Sequence, residues 1–246
     1  MAQRSQWKST FGFLAAAVGS AIGLGNIWRF SYLCYENGGG AFLVPYLIAL
    51  LLAGIPLMIM EFGLGHRKQG SAPKSLHLVA PHWEWVGWFS VVFVMFGIML
   101  YYSVVIGWCI NYLRYSVNVL YEGDTEGFFY SKFLQLSDGP ADVGNIRTSI
   151  LLATAVVWFL QWFICYRDVT KGIERACKVF MPVLFVLTTV LVIWSLSLPG
   201  ALEGLKVYLK PDWHKVLFSG KESFKVWGDA FGQIFFTLSL GFGIMI

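Results

Sequence analysis

Charge is what this sequence has least of. Only 13% of its 246 residues are Asp, Glu, Lys or Arg, about half the usual share in a water-soluble domain. Stretches without any of the four cover 9–28, 37–60, 85–113, 148–166, 179–202 and 230–246. A helix needs roughly 20 mostly apolar residues to cross a bilayer, so five runs can span and the sixth stops short. Helices of a soluble core could explain one such run, but not five in so short a chain. The composition therefore excludes an ordinary soluble domain and predicts an all-α polytopic membrane protein.

Cysteine and histidine are equally sparse. Cys34, Cys109, Cys165 and Cys177 are widely scattered with no CxxC pair, so neither a disulfide framework nor a zinc site is implied. His66, His77, His82 and His214 fall in predicted loops without metal-ligand spacing. No nucleophile–base pair lies in the apolar runs, which argues against an enzyme.

The formal net charge of +4 could suggest nucleic acid, but its placement reads as topology. If the chain alternates across the membrane, Arg4, Lys8, Arg67, Lys68, Lys74, Arg167, Lys171, Arg175 and Lys178 share one side. The other side holds no basic residue in 31–40, two in 120–147 and five in 199–225. The bias predicts a cytoplasmic N-terminus in the cell membrane, although the lysines of 199–225 weaken it. No nucleic-acid partner is expected. The first run also resembles a secretory signal, with small residues at 15–17, but cleavage would leave the glycines and Asn26 that follow unexplained. A retained first span is the preferred reading.

The spans are placed at about 9–35, 40–65, 85–117, 148–166, 173–198 and 224–246, and are numbered 1 to 6. No linker separates them, so one transmembrane domain is expected. Span 1 is interrupted near 22–25, and "NGGG" at 37–40 makes a tight outer turn. Pro45 and Pro56 bend span 2, because an interior proline removes a backbone hydrogen bond.

The few polar groups inside these runs are the informative ones, since such groups face protein or a water-filled cavity. Gly19, Gly23 and Gly25 allow two readings. Gly19 and Gly23 form GxxxG, a close-packing motif; alternatively the helix is broken and its unwound backbone faces an ion or substrate. Asn26 suits the N-cap of a second half-helix, or offers an oxygen to a hard cation. Arg29 either snorkels to the interface or gates it. Glu61 either makes a buried structural hydrogen bond or serves a proton or ion pathway. A second glycine- and hydroxyl-bearing segment, "FGQIFFTLSLGFG" at 231–243, favours the broken-helix reading. Inverted-repeat transporters place two discontinuous helices near the membrane midplane.

The motifs "GSAIGLGNIWRF", "ENGGGAFLVPY", "GIPLMIMEFGLG", "KGIERACKVFMP" and "GQIFFTLSLGFG" together resemble the N-terminal half of a neurotransmitter:sodium symporter. The likeness is closest to bacterial carriers of leucine and other hydrophobic amino acids. It runs along the whole chain, with Ser31 standing where the family commonly has proline. It implies the first five-helix repeat, plus the start of span 6, of a 5+5 inverted-repeat fold with spans 1 and 6 broken. It implies no covalent chemistry, but sodium-coupled symport of a neutral or hydrophobic amino acid by alternating access. One sodium site would use the Ala21 carbonyl, Asn26, Thr237 and the substrate carboxylate. A second would use the Gly19 and Ile22 carbonyls and is incomplete in this chain.

The resemblance also assigns the substrate contacts. The carboxylate would meet the Gly25 amide and the Tyr102 hydroxyl. The ammonium would meet carbonyls of Ala21, Phe236 and Thr237 and the Ser239 hydroxyl, while Ile98, Phe236 and Phe242 line the side-chain pocket. Tyr102 and Phe236 would close an outer lid beneath Arg29 and Gln233, with Arg4 and Trp7 sealing the inner side. Gly23 stands where monoamine-transporting relatives carry aspartate, which favours an amino acid. Gly172 and Pro182 would let the inner end of span 5 open toward the second sodium. Chloride dependence and oligomeric state are left open. The alternative is a truncated, non-transporting membrane protein or a regulatory or assembly subunit, because a lone 1–246 product is expected not to transport.

Overall fold

The computed structural model describes residues 7–137, 139, 141, 142 and 144–246. The described chain is mostly helical, with turns and irregular connections between the helices. Its main elements are α1 (Thr10–Ala21), α2 (Leu24–Glu36), α3 (Gly40–Lys68), α4 (Ala72–His77), α5 (Pro81–Ser116), α6 (Phe128–Leu134), α7 (Thr148–Tyr166), α8 (Val169–Ser197), α9 (Ala201–Leu209), α10 (His214–Phe218) and α11 (Lys221–Thr237). Four of them, α3, α5, α7 and α8, are long and apolar enough to cross a membrane; the bent pair α1 and α2 would make a fifth span. Large apolar side chains along α8, such as Phe185 at 75% exposure, point outward as lipid contacts require.

The chain forms two compact units, one of residues up to Val92 together with Val169–Ile246, the other of Phe93–Asp168. In the first, α1 begins at Ser9, whose hydroxyl accepts the Gly12 amide at 3.1 Å, an N-cap bond that satisfies one orphan donor. It stops because Ile22 (φ −92°, ψ 96°) and Gly23 (φ −109°, ψ 174°) are extended. The chain re-enters helix at Leu24, and the two axes meet at 47°. In α3, Pro56 follows a π-helical turn over Leu50–Gly54. A proline has no N–H and crowds the preceding turn, which the wider π turn accommodates.

The glycine turn after α2 does two things. Gly38 and Gly39 take φ 95° and 61°, left-handed values that a side chain resists. That turn brings the backbone against the segment between α9 and α10: Asp212 N–H donates to the Gly38 carbonyl at 3.0 Å, and Gly39 pairs with Pro211. Beneath it lies a core of Leu33, Cys34, Ala41, Phe42, Val216, Val226 and Ala230, with Tyr46 and Tyr208 packed against it. Partial burial, reinforced by the Cys34 thiol, pushes the Tyr208 hydroxyl up to about 12. Next, α11 packs along α3 and gives way after Thr237 to successive turns. Ser239, Gly241 and Gly243 there take φ 52°, 80° and 69°.

In the second unit α7 packs on the later part of α5. Gly107 faces Thr154, and the Asn111 side chain bridges the Gly107 and Ser149 carbonyls at 2.9 and 3.2 Å. The connection between α5 and α7 is not all loop, since α6 stacks Phe128, Phe129 and Phe133 around Tyr112.

Candidate functional site

The break between α1 and α2 is where the polar groups gather. Because the backbone is extended at Ile22, the Asn26 amide donates to Gly23 at 3.0 Å, a tightened first turn, and not to Ile22 as a continuous ladder would require. Asn26 itself is not the N-cap. Gly23 holds that position without a side-chain bond, and Asn26 lies three residues on, facing back across the break. Its Nδ2 donates to the Ala21 carbonyl at 2.6 Å, while its Oδ1 accepts from the Thr237 hydroxyl at 3.0 Å.

Thr237, the last residue of α11, also accepts from Gln233 Nε2 at 3.2 Å. Gln233 is fully buried, and its Oε1 makes no hydrogen bond. The Tyr46 hydroxyl lies beside Thr237. Ala21, Asn26 and Thr237 thus bring a carbonyl, an amide oxygen and a hydroxyl to one place. These are hard oxygen donors of the kind alkali and alkaline-earth cations prefer.

The turns after α11 face the α1 side of the same break. Ser239 Oγ donates to the Ser20 carbonyl at 3.4 Å, and its amide donates to the Phe236 carbonyl at 3.2 Å. The Phe236 carbonyl, expected to meet an ammonium, is therefore engaged in the turn with one lone pair left over. Glu61, buried in α3, accepts the Gly241 amide on Oε1 at 2.7 Å, and Ser90 donates to the Gly241 carbonyl at 3.1 Å. The structural reading of Glu61 is thereby realised on one oxygen; its Oε2 is buried without a bond.

The glycines act differently from their expected role in unwinding. Ile22 and Gly23 have negative φ, which any residue tolerates, so the break does not need glycine for its backbone angles. Gly25 needs it for space: a Cβ there would run into the Phe236 ring. At Gly19 a Cβ would stand 3.1 Å from the Met181 sulfur of α8. Above Gly25, the Arg29 guanidinium lies over the Phe236 ring, 5.2 Å from its centre, within cation–π range. Gly25, Phe236 and Arg29 therefore form a stack leading away from the break.

The remaining predicted residues are placed as follows. Ile98 lies in the π-helical stretch Phe93–Met99, and Tyr102 in the first turn of regular helix after it. They stand four residues apart on one helix face, within the second unit. Phe242 sits between the two left-handed glycines, Gly241 and Gly243. Trp7 packs edge-on against Phe13, which packs against Phe62 of α3. Arg4 lies outside the described residues. Below the break is a cavity of about 910 Å³ reached by Ser20, Phe13, Trp7, Phe62, His66 and Ile173. Glu174, Ser90, Tyr46 and Met181 escaped the sequence reading. Of these only Ser90 and Tyr46 carried a signal, as hydroxyls within apolar runs.

The profile of the Sodium:neurotransmitter symporter family matches residues 4–122 and 120–246. A sodium-dependent transporter of Methanocaldococcus jannaschii is 48% identical over 244 residues, covering 99% of this chain and 48% of that protein. The sodium-dependent serotonin transporter of Drosophila melanogaster is 34% identical over 274 residues, covering 99% and 42%. The crystal structure of MhsT in complex with L-phenylalanine superposes with a TM-score of 0.78 at 40% identity, over 99% of this chain and 53% of that one. The chain spans about half the length of the relatives it matches. With both segments of its profile matched and its helices superposable on MhsT, this chain belongs to the sodium:neurotransmitter symporter family, a family of multi-pass membrane transporters.

Proposed function

We propose that this protein serves sodium-coupled symport of a neutral or hydrophobic amino acid across the cytoplasmic membrane, by alternating access and with its N-terminus in the cytoplasm. The observation that carries this reading is the meeting of Ala21, Asn26 and Thr237 at the break between α1 and α2. Sodium would be held there by the Ala21 carbonyl, Asn26 Oδ1 and Thr237, replacing the Asn26 Nδ2–H donor now on Ala21. A second sodium would take the Gly19 and Ile22 carbonyls.

The substrate would lie against the first ion. Its carboxylate would complete the sodium shell and meet the Gly25 amide, at the positive end of the α2 dipole, and the Tyr102 hydroxyl. Its ammonium would meet the Ala21, Phe236 and Thr237 carbonyls and Ser239. Ile98, Phe236 and Phe242 would take the side chain. Arg29, Phe236, Tyr102 and Gln233 would close the outer path, and Arg4 and Trp7 the inner one. Gly23 leaves no carboxylate at the break, which supports a substrate that brings its own. L-phenylalanine, the ligand of MhsT, is the natural first probe. The membrane potential supplies about 2.3 kcal/mol per charge per 100 mV as driving force.

Uptake of radiolabelled amino acids into proteoliposomes carrying the complete transporter, with sodium or choline outside, tests the reading. Sodium-dependent accumulation of L-phenylalanine or L-leucine is expected. Equal uptake in choline would overturn the coupling, and preference for a monoamine would overturn the substrate class.

A further inference from the structure

The inner end of α1 is held by one acidic side chain that the transport reading does not use. Glu174, near the start of α8, is only 1% exposed. Three donors reach its two oxygens. The Lys8 backbone amide donates to Oε2 at 2.9 Å, the Ser9 hydroxyl to Oε1 at 2.9 Å, and Lys178 Nζ to Oε1 at 2.6 Å. Two of those donors belong to the residues that open α1, and Ser9 is also its N-cap. Gly12 completes the seat, because a Cβ there would overlap the Glu174 side chain itself.

We propose that Glu174 is a positioning residue, a latch that holds the start of α1 against α8 and so sets how readily the path below the cation site opens to the cytoplasm. The claim rests on the symport reading above and deepens it. Three features of the molecule support it. First, α1 is mechanically separate from α2, since Ile22 and Gly23 leave the helical ladder. A helix of this kind can tilt about its break as a rigid rod, and its far end then moves most. Ser9 lies roughly 20 Å below Ile22 at 1.5 Å per residue.

Second, among the described residues the attachments at that far end differ in kind. On one side Trp7 and Phe13 lean on Phe62 of α3 through edge-to-face aromatic contacts, which restrain without fixing direction. On the other side Glu174 makes charge-assisted, directional bonds to the backbone and the cap, which are about twice as strong as neutral ones. Third, the cavity of about 910 Å³ runs beside α1: Trp7, Phe13 and Ser20 line it from that segment, and Ile173, the neighbour of Glu174, lines it from α8. Moving the start of α1 off α8 therefore widens the way to Ser20, one residue before the Ala21 carbonyl. Buried carboxylates are costly unless fully bonded, so the arrangement has two well-defined conditions, seated with all three donors or released into water.

The test is cysteine accessibility in the protein reconstituted in proteoliposomes, with the four native cysteines replaced and Ser20→Cys introduced. A membrane-impermeant thiol reagent is supplied on the cytoplasmic side, with and without sodium. Glu174→Gln keeps the size but turns an acceptor into a donor facing a donor. It should raise the Ser20→Cys labelling rate in the absence of sodium by roughly tenfold, the scale of one lost charge-assisted bond. Ser9→Ala, which removes a single donor and leaves the carboxylate seated, should give a smaller rise of the same sign and guards against misfolding of the first variant. Glu174→Asp should partly restore slow labelling. If sodium slows labelling of the Ser20→Cys protein but Glu174→Gln and Ser9→Ala label at its rate, the latch is overturned and the symport reading stands. If sodium has no effect on the Ser20→Cys protein, the symport reading falls and the latch with it.

Discussion

The Thr237 hydroxyl donates to Asn26 Oδ1 at 3.0 Å, joining two residues 211 positions apart in sequence. Thr237 ends α11 and Asn26 lies in the first turn of α2, so this one bond ties the outer half of the broken span to the last helix. It also passes the polarity onward, because Asn26 in turn holds the Ala21 carbonyl at 2.6 Å.

Replacing Thr237 by valine keeps the shape and removes the oxygen. Asn26 Oδ1 then lacks its donor and Gln233 Nε2 its acceptor, each a buried loss of about 1–3 kcal/mol. The sodium concentration for half-maximal substrate binding should rise roughly tenfold or more, as for lost ligand support at other ion sites. Thr237→Ser should stay close to the parent. Measured by sodium titration of substrate binding, an unchanged midpoint in Thr237→Val would remove this residue from the proposed cation site.

Gly25→Ala separates packing from folding. Alanine is a better helix former than glycine by about 1 kcal/mol, which offsets part of the packing cost, so the thermal midpoint in detergent should fall only slightly. The added methyl group runs into the Phe236 ring, and overpacking of this kind costs about 1–3 kcal/mol. The ring must swing away from both Gly25 and Arg29. Amino-acid affinity should therefore drop about tenfold with sodium affinity less affected. Parental amino-acid affinity would show that the ring does not cover the substrate.

How much of this was readable beforehand differs residue by residue. The break in the first span was legible, because three glycines and an asparagine in an apolar run have few other uses. Its cause was not. The backbone angles at Ile22 and Gly23 suit any residue, and the glycine that matters is Gly25, for a neighbour 211 positions further on. After α11 the opposite holds: Gly241 and Gly243 do take left-handed angles, as glycines in a turn should. By residue type Asn26 reads as a cap, a place that Gly23 takes instead; Asn26 reaches across the break because Thr237 waits there. Glu174 was illegible altogether. In sequence it is one charge in a basic turn, and only the packing of α1 on α8 gives it three donors.

Gly39→Ala probes the glycine turn after α2. Gly39 combines φ 61° with ψ −129°, a region almost reserved for glycine, and a Cβ would strike the Lys210 carbonyl. Backbone strain of about 1–3 kcal/mol should lower the melting temperature of the purified protein clearly. Gly63→Ala is the control: nothing lies within 4 Å of its would-be Cβ, so its melting temperature should equal or exceed the parent's. Equal melting of both variants would mean that the turn does not hold the segment between α9 and α10.

Pro182→Ala acts at the inner end, with the opposite sign to the Glu174 variants. Pro182 lies inside α8, and Gly172 is buried in the π-helical turn Val169–Ile173 at its start. Proline leaves one backbone carbonyl without its helical donor, which eases opening of this end. Alanine restores that bond, worth about 1 kcal/mol, so inward sodium release from loaded proteoliposomes should slow by roughly fivefold. Release at the parental rate would refute a role for this proline in opening. In the Ser20→Cys labelling assay Pro182→Ala should lower the rate where Glu174→Gln raises it. The two residues lie roughly 12 Å apart along the helix, far enough for independent effects to add. A double variant near the parental rate is therefore expected if the proline governs the opening of α8 and the glutamate only the seating of α1 upon it. If instead Pro182→Ala leaves the Glu174→Gln rate unchanged, opening runs through α1 alone, and the proline bends α8 for packing.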